Sequence, residues 1–242
     1  MDVPPFRFLA KGVLVTGTDT GAGKTYVACL LGRRLAAAGQ AVRPLKPVES
    51  GCAFLMDGSL FPADAAALRD AIAPHLPLDA VCPWPLSAPL SPHLAARLEG
   101  ASIDPGRVRE SIHSAAAASD LVLVEGVGGI AVEMREGYSF ADLARDLSLP
   151  VLVVAENRLG VLNHLRLTVR YVLSDGLELL GVVLNDRHSG GDPARETNED
   201  EVRRIAGDRY LGRVPNGAAV LPEGIFSRFR ELALSRWPSL SL

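Results

Sequence analysis

Short apolar runs rich in valine and leucine recur along this chain, and between them lie longer stretches whose apolar positions return at helical spacing. The runs predict strands at 12–16, 41–46, 121–125, 151–155, 181–184 and 210–214. Two of them, Leu121-Val122-Leu123-Val124 and Val151-Leu152-Val153-Val154, are apolar at every position rather than at alternate ones. A strand wetted on one side alternates, whereas a strand covered by helices on both sides does not. The intervening periodicity predicts helices at 25–38, 64–72, 105–118, 140–147, 162–174, 196–205 and 223–235. Gly39 ends the first, and Ser139 and Asn163 stand where capping residues belong. Strands and helices alternate throughout, so the fold class is α/β: a doubly wound, mostly parallel sheet flanked by helices. Residues 82–92 contain Pro83, Pro85, Pro89 and Pro92, which excludes regular helix or a central strand. That stretch is too short to separate two domains and reads as a shaped loop beside the site. No internal repeat is present, and residues 1–242 read as a single domain.

In such sheets, ligands bind at the carboxyl ends of the strands. The first predicted strand runs into Thr16-Gly17-Thr18-Asp19-Thr20-Gly21-Ala22-Gly23-Lys24-Thr25, and a helix-forming run starts at Tyr26. Strand, glycine-rich loop and helix in that order form a phosphate-binding loop of the P-loop NTPase type. Backbone N–H groups and the positive end of the helix dipole cradle phosphate oxygens. Lys24 then reaches the terminal phosphates, and the Thr25 hydroxyl suits Mg²⁺. The spacing departs from G-x-x-x-x-G-K-[ST]: the first glycine belongs at position 18, which is threonine, and Gly17 comes one residue early.

Three further strand ends carry candidate chemistry. Lys46, followed by Pro47, sets a second cation at the mouth of the second strand, with Ser50 and Gly51 just beyond. A cation there offsets charge on a transferring phosphoryl group or a carboxylate-like acceptor. Glu125 ends the third run and leads into Gly126-Val127-Gly128-Gly129, the place where nucleotide-binding proteins of this kind put a carboxylate on the Mg²⁺ side. Asn185-Asp186 after the fifth run can read a purine edge, or is simply a turn. Asp64 opens a helix, where capping is its ordinary role. The five histidines lack metal-site spacing, and no G-x-S-x-G elbow supports acyl transfer.

Composition removes other classes of function. A formal charge of −3 without a basic run argues against nucleic acid, and no apolar run approaches a membrane span. The first ten residues lack the apolar core of a leader, and the final segment from Arg236 is short and interrupted by Pro238, unlike a membrane-binding amphipathic tail. Three scattered cysteines read as reduced, buried side chains, which fits a cytoplasmic setting.

Taken together, the chain resembles the dethiobiotin synthetase family. The resemblance rests on the extended loop ending Gly23-Lys24-Thr25, on Lys46-Pro47-Val48-x-Ser50-Gly51, Ser91-Pro92-His93 and Glu125-Gly126-x-Gly128-Gly129, and on Phe140-Ala141-Asp142, Leu159-Gly160-x-x-Asn163-His164 and Asn185-Asp186. It covers roughly positions 13 to 186. The resemblance implies an ATP- and Mg²⁺-dependent ligase that closes a cyclic urea on 7,8-diaminononanoate with CO₂ in biotin biosynthesis. It implies phosphate contacts from Gly21, Ala22, Gly23, Lys24, Thr25 and Tyr26, with Thr20 beside the reacting oxygens and Thr25, Asp64 and Glu125 on Mg²⁺. Lys46 would hold the carbamate and the transferring phosphoryl, and Gly126, Val127 and Gly128 would border the nucleotide. Asn185, Asp186, Pro215, Asn216 and Gly217 would hold the adenine. Ser50 would contact the substrate, as would Gly160, Val161 and Asn163 from the second subunit of a homodimer. The chain departs from the family pattern at Gly21, in the glycine-rich segment 188–198 and after Pro215.

Overall fold

Six parallel strands form the central sheet of the computed structural model, which describes residues 11–190, 193–238 and 240. The leader-free reading of the first ten residues lies outside the described residues. So do Gly191 and Asp192 of the glycine-rich segment, and Ser239, Ser241 and Leu242 of the terminal one. In chain order the first half contains β1 (Gly12–Gly17), α1 (Lys24–Ala37), β2 (Val42–Leu45), β3 (Val48–Ser50), β4 (Ala53–Phe54), β5 (Leu60–Phe61), α2 (Ala63–Ile72), β6 (Trp84–Leu86), α3 (Pro92–Glu99) and α4 (Pro105–Ala117). The second contains β7 (Leu121–Gly129), β8 (Glu133–Arg135), β9 (Tyr138–Ser139), α5 (Phe140–Asp146), β10 (Val151–Glu156), α6 (Val161–Ser174), β11 (Leu179–Asn185), α7 (Pro193–Ala206), β12 (Tyr210–Val214) and α8 (Glu223–Arg236).

The sheet order is β12-β11-β10-β1-β7-β2, so the α/β doubly wound class holds. Every neighbouring pair is parallel. The continuous apolar runs are explained by the pleat, which sends successive side chains to opposite faces. Leu14, Val122, Val124, Val151 and Val153 pack with α3 to α7 on one face. Val13, Val15, Leu121, Leu123, Leu152 and Val154 pack with α1, α2 and α8 on the other. Each fully buried aliphatic side chain contributes about 1.5–3 kcal/mol, which is why no polar residue interrupts these runs. From β1 the chain first builds toward β2 and β7, then returns to add β10, β11 and β12 on the other side. The order reverses at β1, and the crevice at its carboxyl end is where such folds take ligands.

Several local expectations need correction. Helix α3 falls where no helix is predicted, although Pro92 at its first position and Gly100 just past its end are ordinary start and stop signals. Asn163 does not cap α6: the cap position is Gly160, and Asn163 lies exposed within the first turn. Ser139 does cap α5, in a reciprocal pair with Asp142. Within 82–92, residues of β6 pair with β3 in a separate two-stranded sheet, an edge position that tolerates Pro85. Gly39 follows the first helix as expected, and all three cysteines are free and buried. Among the described residues no helix is long and apolar enough to cross a membrane.

Candidate functional site

The loop between β1 and α1 folds back tightly on itself. A Cβ on Gly17 would sit 2.7 Å from the Asp19 carbonyl, so the early glycine is the residue that permits the return. Thr18 N–H donates to the Val154 carbonyl at 3.0 Å, and Asp19 Oδ1 accepts from Thr20 N–H at 2.7 Å. Gly23 takes the cap position of α1 at φ 89°, and a Cβ there would lie 2.1 Å from Asn185 Nδ2. No side chain caps α1. Its first N–H groups therefore remain open to the cleft, ready for an anion.

Around that helix start, four side chains converge from four elements. Lys46, at the end of β2 and only 2% exposed, places Nζ 2.6 Å from Glu125 Oε1 and 3.0 Å from Asp64 Oδ2. The Thr25 hydroxyl donates to the same Glu125 oxygen at 2.7 Å. Burial alone would push the Lys46 ammonium down, but the charges of Glu125 and Asp64 reverse that and hold it above the ordinary lysine range. Burial likewise raises Asp64, and the adjacent Lys46 more than reverses the effect, leaving the carboxyl below its usual value. Lys24 behaves differently. It is buried, donates no side-chain hydrogen bond to a described residue, and is shifted down by desolvation and by Lys46 despite Glu125 and Asp64. Both nearby carboxylates are bonded to Lys46, and Lys24 is left without a bonded anion of its own.

The donor set fits a small divalent cation. Glu125 Oε2 is buried without any hydrogen-bond partner, while Oε1 already serves Lys46 and Thr25. Thr25, Asp64 and Glu125 offer hydroxyl and carboxylate oxygens, the chemistry that Mg²⁺ prefers. Among the described residues no group of three or more His, Cys, Asp or Glu side chains could hold a metal unaided. Mg²⁺ characteristically takes one or two carboxylates and completes its shell with phosphate and water.

Three of the converging residues, Thr25, Lys46 and Asp64, border a cleft of about 520 Å³, while Glu125 is buried outside its lining. Thr20, Gly21, Gly23, Lys24, Thr25, Tyr26, Lys46, Ser50 and Asp64 line one part of it, as do Val127 and Gly128. Asn185, Asp186, Asn216 and Gly217 line the other. Ala22 lies behind the loop, where its carbonyl accepts from Asn185 Nδ2 at 3.0 Å. Gly126 backs onto the Phe140 ring, and Pro215 is exposed outside the cleft lining. Gly160, Val161 and Asn163 are absent from it, at the start of α6.

Two readings of local roles change. Asp64 does not cap α2. The cap position is Pro62, and the Asp64 carboxylate turns to Lys46 instead. Asp186 is held inside the protein: Oδ1 accepts from Asn157 Nδ2 at 2.7 Å and Oδ2 from Arg213 Nε at 2.7 Å. Asn185 braces the loop with its amide while its Oδ1 stays buried and unpartnered. Sequence reasoning missed two lining residues. Glu49 gave no signal beyond being a carboxylate inside the Lys46–Ser50 segment. Arg187, which donates to the Gly21 carbonyl at 2.5 Å, follows Asn185-Asp186 directly and was within reach of the strand-end rule.

This fold and phosphate loop define a nucleotide-binding protein of the P-loop ATPase class. A family model described as an AAA domain matches residues 11–223. The cell division ATPase MinD of Pyrococcus furiosus superposes with a TM-score of 0.52 at 18% identity, covering 96% of this chain and 93% of that one. That likeness shows the fold alone. The ATP-dependent dethiobiotin synthetase BioD of Anaeromyxobacter sp. (strain Fw109-5) is 40% identical over 220 residues, 91% of this chain and 96% of the relative. The enzyme of the same name from Akkermansia muciniphila is 38% identical over 207 residues, 86% and 93% of the two chains. The chain belongs to the ATP-dependent dethiobiotin synthetase family.

Proposed function

We propose that this protein is an ATP-dependent ligase that makes dethiobiotin from 7,8-diaminononanoate and CO₂, in the cytoplasm. The observation that carries the reading is the Lys46–Glu125–Asp64 cluster set against an uncapped helix start. One substrate amine adds to CO₂, forming a C–N bond and releasing a proton, to give a carbamate. A carbamate oxygen then attacks the γ-phosphorus of ATP and ADP leaves, producing a carbamic–phosphoric anhydride. The second amine attacks the carbonyl carbon and gives up a proton, the ring closes, and phosphate departs with the C–O bond electrons.

Two anions must meet in the second step, and the residues are suited to that problem. The open N–H groups of α1 and the Lys24 ammonium bind the ATP phosphates. Lys46, fixed by two carboxylates and kept protonated, neutralises the carbamate and the oxygens of the transferring phosphoryl group. Thr20 and Ser50 supply hydroxyls at the margin of the same space. Thr25, Asp64 and Glu125 would hold Mg²⁺, which supplies charge neutralisation on the phosphates when bound. Asn185, with the 215–217 segment, holds the adenine, and Tyr26 steadies that segment by donating to the Ala218 carbonyl at 2.5 Å.

The substrate's distant carboxylate requires a further anion site, for which we propose the start of α6 from a second copy of the chain. Gly160, Val161 and Asn163 open that helix with no side-chain cap. Leu159, just before that helix, and Leu167 within it are 78% and 60% exposed, apolar side chains that a second copy would cover. The test is phosphate release from ATP with Mg²⁺, bicarbonate and diaminononanoate, with the product identified by mass. Release should require both carbon substrates and yield dethiobiotin. Release that proceeds equally without diaminononanoate overturns the reading.

A further inference from the structure

Helix α2 carries Asp64 in its first turn, yet it has no cap of its own, because its cap position is Pro62. A helix start leaves N–H groups in need of acceptors. Here the acceptor comes from another element. Glu49, in the middle of β3, takes the Asp64 N–H on Oε1 and the Ala65 N–H on Oε2, each at 2.9 Å. The residue is 6% exposed. Charge-assisted bonds of this kind are short, directional and stronger than neutral ones.

The placement matters because of what precedes Glu49 in the chain. Lys46 lies three residues earlier, and its ammonium holds the Asp64 carboxylate at 3.0 Å. Asp64 is thus gripped twice by one short segment, at its backbone by Glu49 and at its side chain by Lys46. The ring closes through β3 and α2, and Asp64 cannot shift relative to Lys46 without breaking one of these bonds. We infer that Glu49 is a positioning residue: by holding the start of α2 against β3, it sets the Asp64 carboxylate where, with Thr25 and Glu125, it receives the divalent cation of the nucleotide. The inference rests on the proposed role of Asp64 as a cation ligand.

The two ideas are separable with Mn²⁺ as a spectroscopic probe, titrated by EPR into the full-length protein carrying a non-hydrolysable ATP analogue. Glu49→Gln keeps the shape but offers one acceptor to two N–H groups. It should weaken Mn²⁺ binding about tenfold, the lower end of what loss of an outer-sphere partner does. In an Asp64→Asn background the same change should alter Mn²⁺ affinity less than about twofold, because its effect passes through Asp64. Pro62→Ser, added to Glu49→Gln, supplies a local cap; it should recover the melting temperature and leave Mn²⁺ affinity low. Equal losses in both backgrounds, recovery of affinity together with melting temperature, or unaltered affinity in Glu49→Gln would each overturn the inference. Should Asp64→Asn itself leave Mn²⁺ binding unchanged, the ligand reading fails and takes the inference with it.

Discussion

At one end of the cleft, Lys46, Asp64, Glu125 and Thr25 turn charged and polar atoms toward one another within 2.6–3.0 Å. At the other, Asn185 and Asp186 direct theirs into the protein, the first to the Ala22 carbonyl and the second to Asn157 and Arg213. Both ends lie at strand termini of the same sheet, and both are dominated by buried polar residues. The difference is in what remains unpaired. The phosphate end keeps the Lys24 ammonium and an orphaned Glu125 oxygen, so it has unmet demand for an anion and a cation. The Asn185 end, where we propose that the adenine binds, keeps one amide oxygen without a partner. Electrostatic force at the first end and shape at the second should therefore govern binding.

The largest test of that contrast is Lys46→Ala. It removes the neutralising charge at the reacting group, and turnover should fall by about 10²–10³ in a single-turnover phosphate assay. It also strands Glu125, so urea unfolding should show a loss of about 3–5 kcal/mol. Turnover close to that of the unaltered protein would remove Lys46 from the chemistry. Gly23→Ala comes next. The left-handed backbone penalises a side chain by about 1–2 kcal/mol, and the new methyl group displaces Asn185, so ATP should bind about tenfold more weakly by calorimetry.

At the Asn185 end, neighbouring residues should separate cleanly. Asn185→Ala should raise the KM for ATP about fivefold, the equivalent of one hydrogen bond. Asp186→Ala should leave that KM within about twofold while lowering stability by about 1–3 kcal/mol, because it strips acceptors from Asn157 and Arg213. Matching KM effects from the two would erase the distinction.

The smallest effect is on pH dependence. Asp64 has a folded pKa below its unfolded one. Its contribution to stability is present above about pH 4 and is lost as pH falls through the lower folded value. Asp64→Asn should abolish that part of the acid limb in chemical denaturation without added metal. Lys46 acts in the opposite sense. Its raised pKa gives stability that is full below about pH 10 and disappears only as pH rises through the folded value.

The sheet was legible because burial on both faces leaves a mark that neighbours cannot disguise: Leu121 to Val124 and Val151 to Val154 have nowhere to place a polar side chain. Strand ends were less so. β7 continues past Glu125 to Gly129 because its backbone keeps pairing with β1 around an irregularity after Val15, a matter of register rather than residue type. α3 was missed although Pro92 and Gly100 mark it, since the surrounding prolines obscured the pattern. At the site, Lys24, Thr25, Lys46 and Glu125 were readable from their position after strands. Glu49 was not, because its partners are backbone N–H groups fifteen and sixteen residues away.

By itself the sequence determined the layered α/β architecture, the phosphate loop and the membership of family that its motifs announce. These follow from local rules: the side-chain period of a strand, the conformations open to glycine, and residue order along the chain. Only the tertiary structure decided which carboxylate meets which cation. It set the Asp64 carboxylate against Lys46, assigned the capping of α2 to Glu49, and drew Asp186 inward. Such choices depend on distances between elements far apart in sequence, and a buried charge takes whichever partner packing brings within about 3 Å.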